Sequence, residues 1–181
     1  MKVRRHDRRP APVGDHPVAM RPLVLALTLG WTVLLAFFFA NVEIQIEGAA
    51  GWAANLPTWR IEHGWALDVF WGGRPMTGYH AWLFPCMGLF FHFPMIFTGR
   101  WSWRAEARVL ACIMLFWISE DFLWFVLNPA YGIARFAPRY IPWHIHWWGP
   151  APSDYWVFLS ASVVLFWLSC RRPRAATSSN A

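Results

Sequence analysis

Residues 23–40 read LVLALTLGWTVLLAFFFA, a run with no charge. A helix needs roughly 20 apolar residues to cross a bilayer core, and this run with its flanks is long enough. Lys2, Arg4, Arg5, Arg8, Arg9 and Arg21 precede it. A cleavable signal peptide would share that basic flank. The run is long for the apolar region of such a peptide, however, and no Ala-x-Ala site follows Phe39. The paired arginines also lack the rest of a twin-arginine motif. The stretch is therefore read as an uncleaved membrane helix.

Three further segments repeat the pattern, at about 79–98, 107–127 and 155–170. The last is the shortest, and its start is expected as early as Ser153. Composition agrees. Of 181 residues, 57% are hydrophobic, 19% aromatic and only 14% charged, against roughly 25% charged in soluble domains. Mean hydropathy is +0.29. The expected fold is an all-α integral membrane protein, a four-transmembrane-helix bundle over residues 21–172. Residues 1–20 read as a basic, flexible arm beside an anionic leaflet, and 173–181 as a disordered tail. There are no internal repeats.

Orientation follows from the basic residues. Six lie before the first span, and Arg100, Arg104 and Arg108 lie in or beside the short second loop. Arg171, Arg172 and Arg174 follow the last span, while the longer first and third loops hold two each. Both termini are thus expected in the cytoplasm, with loops 42–78 and 128–154 outside. The excess of Arg over Lys (15 to one) hints at a GC-rich bacterial genome, so the expected location is a bacterial cytoplasmic (inner) membrane. The net charge of +6 gathers at the termini and forms no basic face for nucleic acid. The expected partner is the lipid bilayer. Cys86 and Cys112 fall inside spans and Cys170 at the end of one, which reads as apolar filling and leaves no outer disulfide framework.

The first outer loop opens with Val42-Glu43-Ile44-Gln45-Ile46-Glu47. The alternation is a strand period. As the end of the first helix, the same residues would put Glu43 and Glu47 on one face at i,i+4. Residues 52–71 carry four tryptophans and few charges, interrupted by Pro57 and Gly64, and read as lying in the membrane interface. Gly72-Gly73-Arg74-Pro75 reads as a turn. Prolines and glycines punctuate 128–152 too often for a long helix. Ten of the 15 tryptophans fall in these loops or the adjoining span ends. An interfacial belt would populate both faces, so a Trp-rich interfacial outer cap is expected.

Charges inside a bilayer cost about 2.5–3.5 kcal/mol each and are functional by default. Glu120 and Asp121 lie in the third span, about 100° apart on a helix. Asp121 shares a stripe with Trp117, Trp124 and Asn128, and Glu120 with Phe116 and Leu127. Arg135 or Arg139 would be their structural partner; metal ligation or proton transfer would be their functional use. His80 opens the second span. Helical rise brings His92 and Glu120 within about 6 Å in depth, near enough to bond, although a backbone carbonyl is the commoner partner for such a histidine.

Pro142-Trp143-His144-Ile145-His146-Trp147-Trp148-Gly149-Pro150 is the most suggestive local pattern. In extended chain, His144 and His146 would face one way, an arrangement used for paired metal ligands. His80, Glu120, His144 and His146 all map to the outer half, as do Glu43, Asn128, Tyr79 and Tyr131. Such ligands suit one transition metal ion (Zn, Fe, Mn or Cu) better than Mg or Ca. Asp121 would then be a base or would hold a ligand in place. Metal-bound water could attack an ester or phosphate. The chain has no H-E-x-x-H, G-x-S-x-G or P-loop. Seven histidines, two of them in the arm, cannot form the eight-His clusters expected of membrane desaturases and hydroxylases. Three functions remain from the sequence: a metal site, catalytic or metal-handling; a non-enzymatic accessory or assembly subunit of a larger membrane complex; and a small transporter.

Overall fold

A computed structural model describes residues 22–171; the expected arm and tail lie outside the described residues. The chain is mostly helical. Helix α1 spans Pro22–Glu47. Strand β1 (Arg60–Ile61), helix α2 (Trp65–Phe70) and strand β2 (Met76–Thr77) follow, and then α3 (Gly78–Thr98) and α4 (Trp103–Leu127). A 3-10 turn at Ile133–Arg135 precedes β3 (Trp147–Trp148), β4 (Ala151–Pro152) and α5 (Ser153–Cys170). Helices α1, α3, α4 and α5 are each long and apolar enough to cross a membrane.

The buried positions of α1 are Thr32, Ala36, Ala40, Glu43 and Glu47. Their spacing of three or four residues is one helical stripe. The alternation at 42–47 thus belongs to helix, not strand, and the helix runs seven residues past the apolar stretch. Ala36 and Ala40 are fully buried, and such small side chains let helix backbones approach closely. The facing surface belongs to α4, whose stripe runs Cys112, Phe116, Glu120 and Trp124. Helix α4 begins ahead of its apolar run because the Ser102 hydroxyl accepts from Ala105 N at 3.1 Å, satisfying a free N–H of the first turn.

Helix α4 is central and packs along both α1 and α5. The Ser162 hydroxyl of α5 donates to the Ala111 carbonyl at 2.9 Å. Helix α3 is held more lightly. It starts at the Thr77 cap, keeps Pro85 and Pro94 within it, and ends at Gly99, whose φ of 63° is left-handed, the usual C-terminal stop. Leu89, Phe93, Ile96 and Phe97 of α3 are strongly exposed. Together with the outer faces of the other helices they form an apolar belt far beyond what a monomer in water carries.

The segments at 48–77 and 128–152 fold over the same end of the bundle. Antiparallel pairing joins β1 to β2 and β3 to β4. Trp124, Phe125 and Ile141 form the cap core with Ala40, flanked by Tyr131, Phe136, Trp143 and Trp147. Asn128 ties the layers together: its amide donates to Gly48 O at 2.7 Å and its Oδ1 accepts from Ala130 N at 3.0 Å. The first of these segments is not uniformly interfacial. Trp59 and Trp65 are exposed, whereas Trp52 and Trp71 turn inward to a cavity.

Candidate functional site: an acid-lined cavity under the cap

A cavity of about 320 Å³ lies where the cap meets the bundle. Nine of its lining side chains are ionisable: Glu43 and Glu47 from α1, Arg74, His80 from α3, Glu120 and Asp121 from α4, His144 from the second cap segment, and Asp154 and Tyr155 from α5. Five tryptophans (Trp52, Trp71, Trp117, Trp124 and Trp143) share the lining with apolar side chains such as Phe84, Ile113 and Met114.

One wall is a connected chain of hydrogen bonds and ion pairs. Arg74 pairs with Asp154 Oδ2. Asp154 Oδ1 lies 3.6 Å from His144 Nδ1, and His144 Nε2 lies 3.0 Å from Asp121 Oδ2. The Tyr155 hydroxyl donates to that same Asp121 oxygen. Both nitrogens of the His144 ring, whose side chain is 1% exposed, therefore face carboxylates. Burial alone would lower the His144 pKa. Asp121 and Asp154 outweigh it and hold the imidazole above its ordinary 6.5, in favour of the imidazolium.

A second group of acids lining the same cavity is Glu43, Glu47 and Glu120. Tyr79 donates to Glu43 Oε1 at 2.7 Å, and Ala53 N donates to Glu47 Oε1 at 2.5 Å. Glu43 and Glu120 both line the cavity and are both buried, one from α1 and one from α4. Glu120 Oε1 is enclosed and has no partner. The indole N–H groups of Trp71 and Trp124, on side chains lining the same cavity, are also buried without partners.

Local backbone shape builds the roof. Trp52 and Ala53 both adopt left-handed φ, at 57° and 52°. Two consecutive non-glycine residues there are costly. The turn presents Ala53 N to Glu47 and lays the Trp52 ring on His80, centroids 4.1 Å apart. Arg74 covers the same indole at 4.5 Å. Gly51 is required for fit, since a Cβ there would meet Trp143 at 2.4 Å.

The structure brings together most, not all, of the residues singled out from sequence. His80, Glu120, Asp121, His144 and Glu43 line the cavity. His80 Nδ1 meets Thr77 Oγ1 at 2.7 Å. His146 does not join them. The chain turns at Ile141–His144, through a bond from His144 N to Ile141 O, so His144 is buried while His146 is exposed. The two imidazoles therefore do not share one enclosed face. Asn128 is used in cap bonding. His92 lies toward the far end of the bundle. Its Nδ1 is 2.6 Å from the Gly88 carbonyl, the backbone partner expected, and its Nε2 is 3.0 Å from Glu106, not Glu120. Arg135 donates to Ala130 O and Arg139 lies over Tyr140, so neither is seen to partner the α4 acids. Among the described residues no three His, Cys, Asp or Glu side chains are grouped as a metal ion would need.

Sequence reading missed Glu47, Arg74, Asp154 and Tyr155 as site residues. Glu47 had a signal, the i,i+4 spacing from Glu43. Arg74 looked like part of a turn, and its partner Asp154 lies 80 residues away, beyond any local pattern. Comparison of this chain with protein-family models, curated proteins and solved structures finds no match.

Proposed function

We propose that this is a polytopic membrane protein whose capped cavity is an acid–base site acting on a small molecule held inside the bundle. One observation carries the reading: nine ionisable side chains, drawn from all four long helices and both cap segments, line a single cavity. At about 2.5–3.5 kcal/mol for each intramembrane charge, a purely structural role would not gather them. Asp121 is the candidate general base. Its Oδ2 takes both bonds, from His144 and Tyr155, which fixes the carboxylate while Oδ1 carries neither. Glu43 and Glu120, buried carboxyls lining the same cavity, are the candidate acid.

The other readings fit less well. An accessory subunit needs an outward docking face, which gives no reason for an interior acid cluster. A transporter working by alternating access commonly shows internal repeats, and the sequence has none. A bound transition metal would need a ligand set other than the one expected: His146 is exposed and His144 directs both nitrogens at carboxylates. The distribution of basic residues supports a cap facing outward from a bacterial cytoplasmic membrane, with both termini inside.

A hydrophobic carbodiimide tests the site, because it forms a stable adduct with a protonated carboxyl in an apolar setting. Mass spectrometry of the protein labelled in vesicles is expected to find the adduct on Glu120 or Glu43, with labelling of the pair falling at least about tenfold in Glu120→Gln. Absence of an adduct at both positions would overturn the reading.

A further inference from the structure

The two groups of acids in the cavity differ in what neutralises them. Asp121 and Asp154 have cationic neighbours, His144 and Arg74. Among the described residues no cation is paired with Glu43, Glu47 or Glu120. The Tyr79 hydroxyl donates to Glu43 and the Ala53 N–H to Glu47. Glu120 lines the cavity with them. Its side chain is almost wholly buried and its Oε1 lacks any partner. Among the described residues these three acids have no paired positive charge.

The rest of the lining narrows what that charge belongs to. A hard metal cation takes six or more oxygen ligands, and the described acids are not grouped that way. Tryptophan faces instead favour weakly hydrated organic cations, which they attract through the ring quadrupole. The volume of about 320 Å³ is at the small end of ligand pockets. The unpartnered indole N–H groups of Trp71 and Trp124 call for an oxygen acceptor on the same molecule.

Resting on the acid–base reading of this cavity, we propose that its ligand is a small organic ammonium ion bearing an oxygen, its cationic head against Glu120 and Glu47 and its oxygen toward Trp71 and Trp124. The same head group occurs in free amino alcohols and in the headgroups of membrane lipids, and the chemistry of the site recognises either.

Choline and its uncharged carbon isostere 3,3-dimethylbutan-1-ol make the test, titrated by tryptophan fluorescence against the intact protein in phosphatidylglycerol vesicles. Choline is expected to bind saturably and at least about tenfold more tightly than the isostere. That preference should shrink in Glu120→Gln and in Glu47→Gln. Equal binding of the two compounds, or no binding of either, overturns the proposal without requiring any variant to fold. If choline fails while the carbodiimide still labels Glu120 or Glu43, the acid–base site stands and only the ligand class falls; if both fail, the site reading falls with it. Repeating the titration with phosphatidylcholine added to the vesicles separates the sources. Suppressed choline binding identifies the lipid headgroup as the occupant, and unchanged binding identifies the free amine; each supports the proposal.

Discussion

The two ends of the bundle each hold a histidine 3.0 Å from a carboxylate, and the pairs are otherwise unlike. At the cap end, His144, its side chain 1% exposed, meets Asp121, 27% exposed, and Asp154, 28% exposed, stands on the second ring nitrogen. At the far end, His92 meets Glu106 with side chains 30% and 23% exposed. Trp101 from the short loop donates to the same carboxylate. Equal distances conceal different energetics. A pair open to solvent is screened and contributes about 0–1 kcal/mol. At the cap end the imidazole is enclosed between two carboxylates, so its charge cannot recover its hydration without them. Enclosure, not the bond length, marks the cap end as the site.

Three changes would break or sharpen this contrast. The largest effect is expected from His144→Ala, which removes the buried imidazole that Asp121 and Asp154 share. The cost should exceed the about 0–1 kcal/mol of an open pair and stay below the about 3–5 kcal/mol of a fully buried one, read as a drop in the thermal midpoint in detergent; a midpoint unchanged within error would show that the pair is not enclosed.

A smaller effect comes from pH. The His144 pKa is raised in the folded protein. Its contribution is therefore fully present below the ordinary 6.5 and is lost as pH rises through the raised folded value. Wild-type stability should decline as pH rises from 6.5 through that raised value. The decline should be missing in His144→Gln and kept in His92→Ala. A decline of the same size in all three proteins would assign it to another group.

The smallest effect is expected from His92→Ala, at most about 1 kcal/mol for a partly exposed pair. A loss matching that of His144→Ala would erase the distinction between the two ends.

Much of the bundle was legible in sequence, for physical reasons. The apolar runs marked all four long helices, and α3 and α5 begin and end within two residues of expectation. Where a helix carries charges at its end the signal faded. Helix α4 starts at Trp103 because Ser102 caps it, although Arg104, Glu106 and Arg108 obscure its first turns in hydropathy. Helix α1 continues to Glu47 through residues whose alternation matched a strand equally well. The site was legible where helical geometry decides, as with Glu120, Asp121 and His80. It was not legible where loop geometry decides. A single turn at Ile141–His144 sends one histidine of a pair inward and leaves the other out, and nothing in the local pattern of proline and tryptophan fixes that turn.

The wall that joins Arg74 to Asp154 also sets an order of events. In a chain made from its N-terminus, Glu43 and Glu47 emerge on α1 well before Glu120, and Asp121 emerges before either His144 or Tyr155. Arg74 waits through 80 residues for its carboxylate. Helices α1, α3 and α4 can be in place while the acids of α4 still lack part of their network. The cavity is therefore completed only when α5, the last long helix, docks against α4, and a nascent chain halted before Ser153 would hold its acids in an open, unfinished pocket.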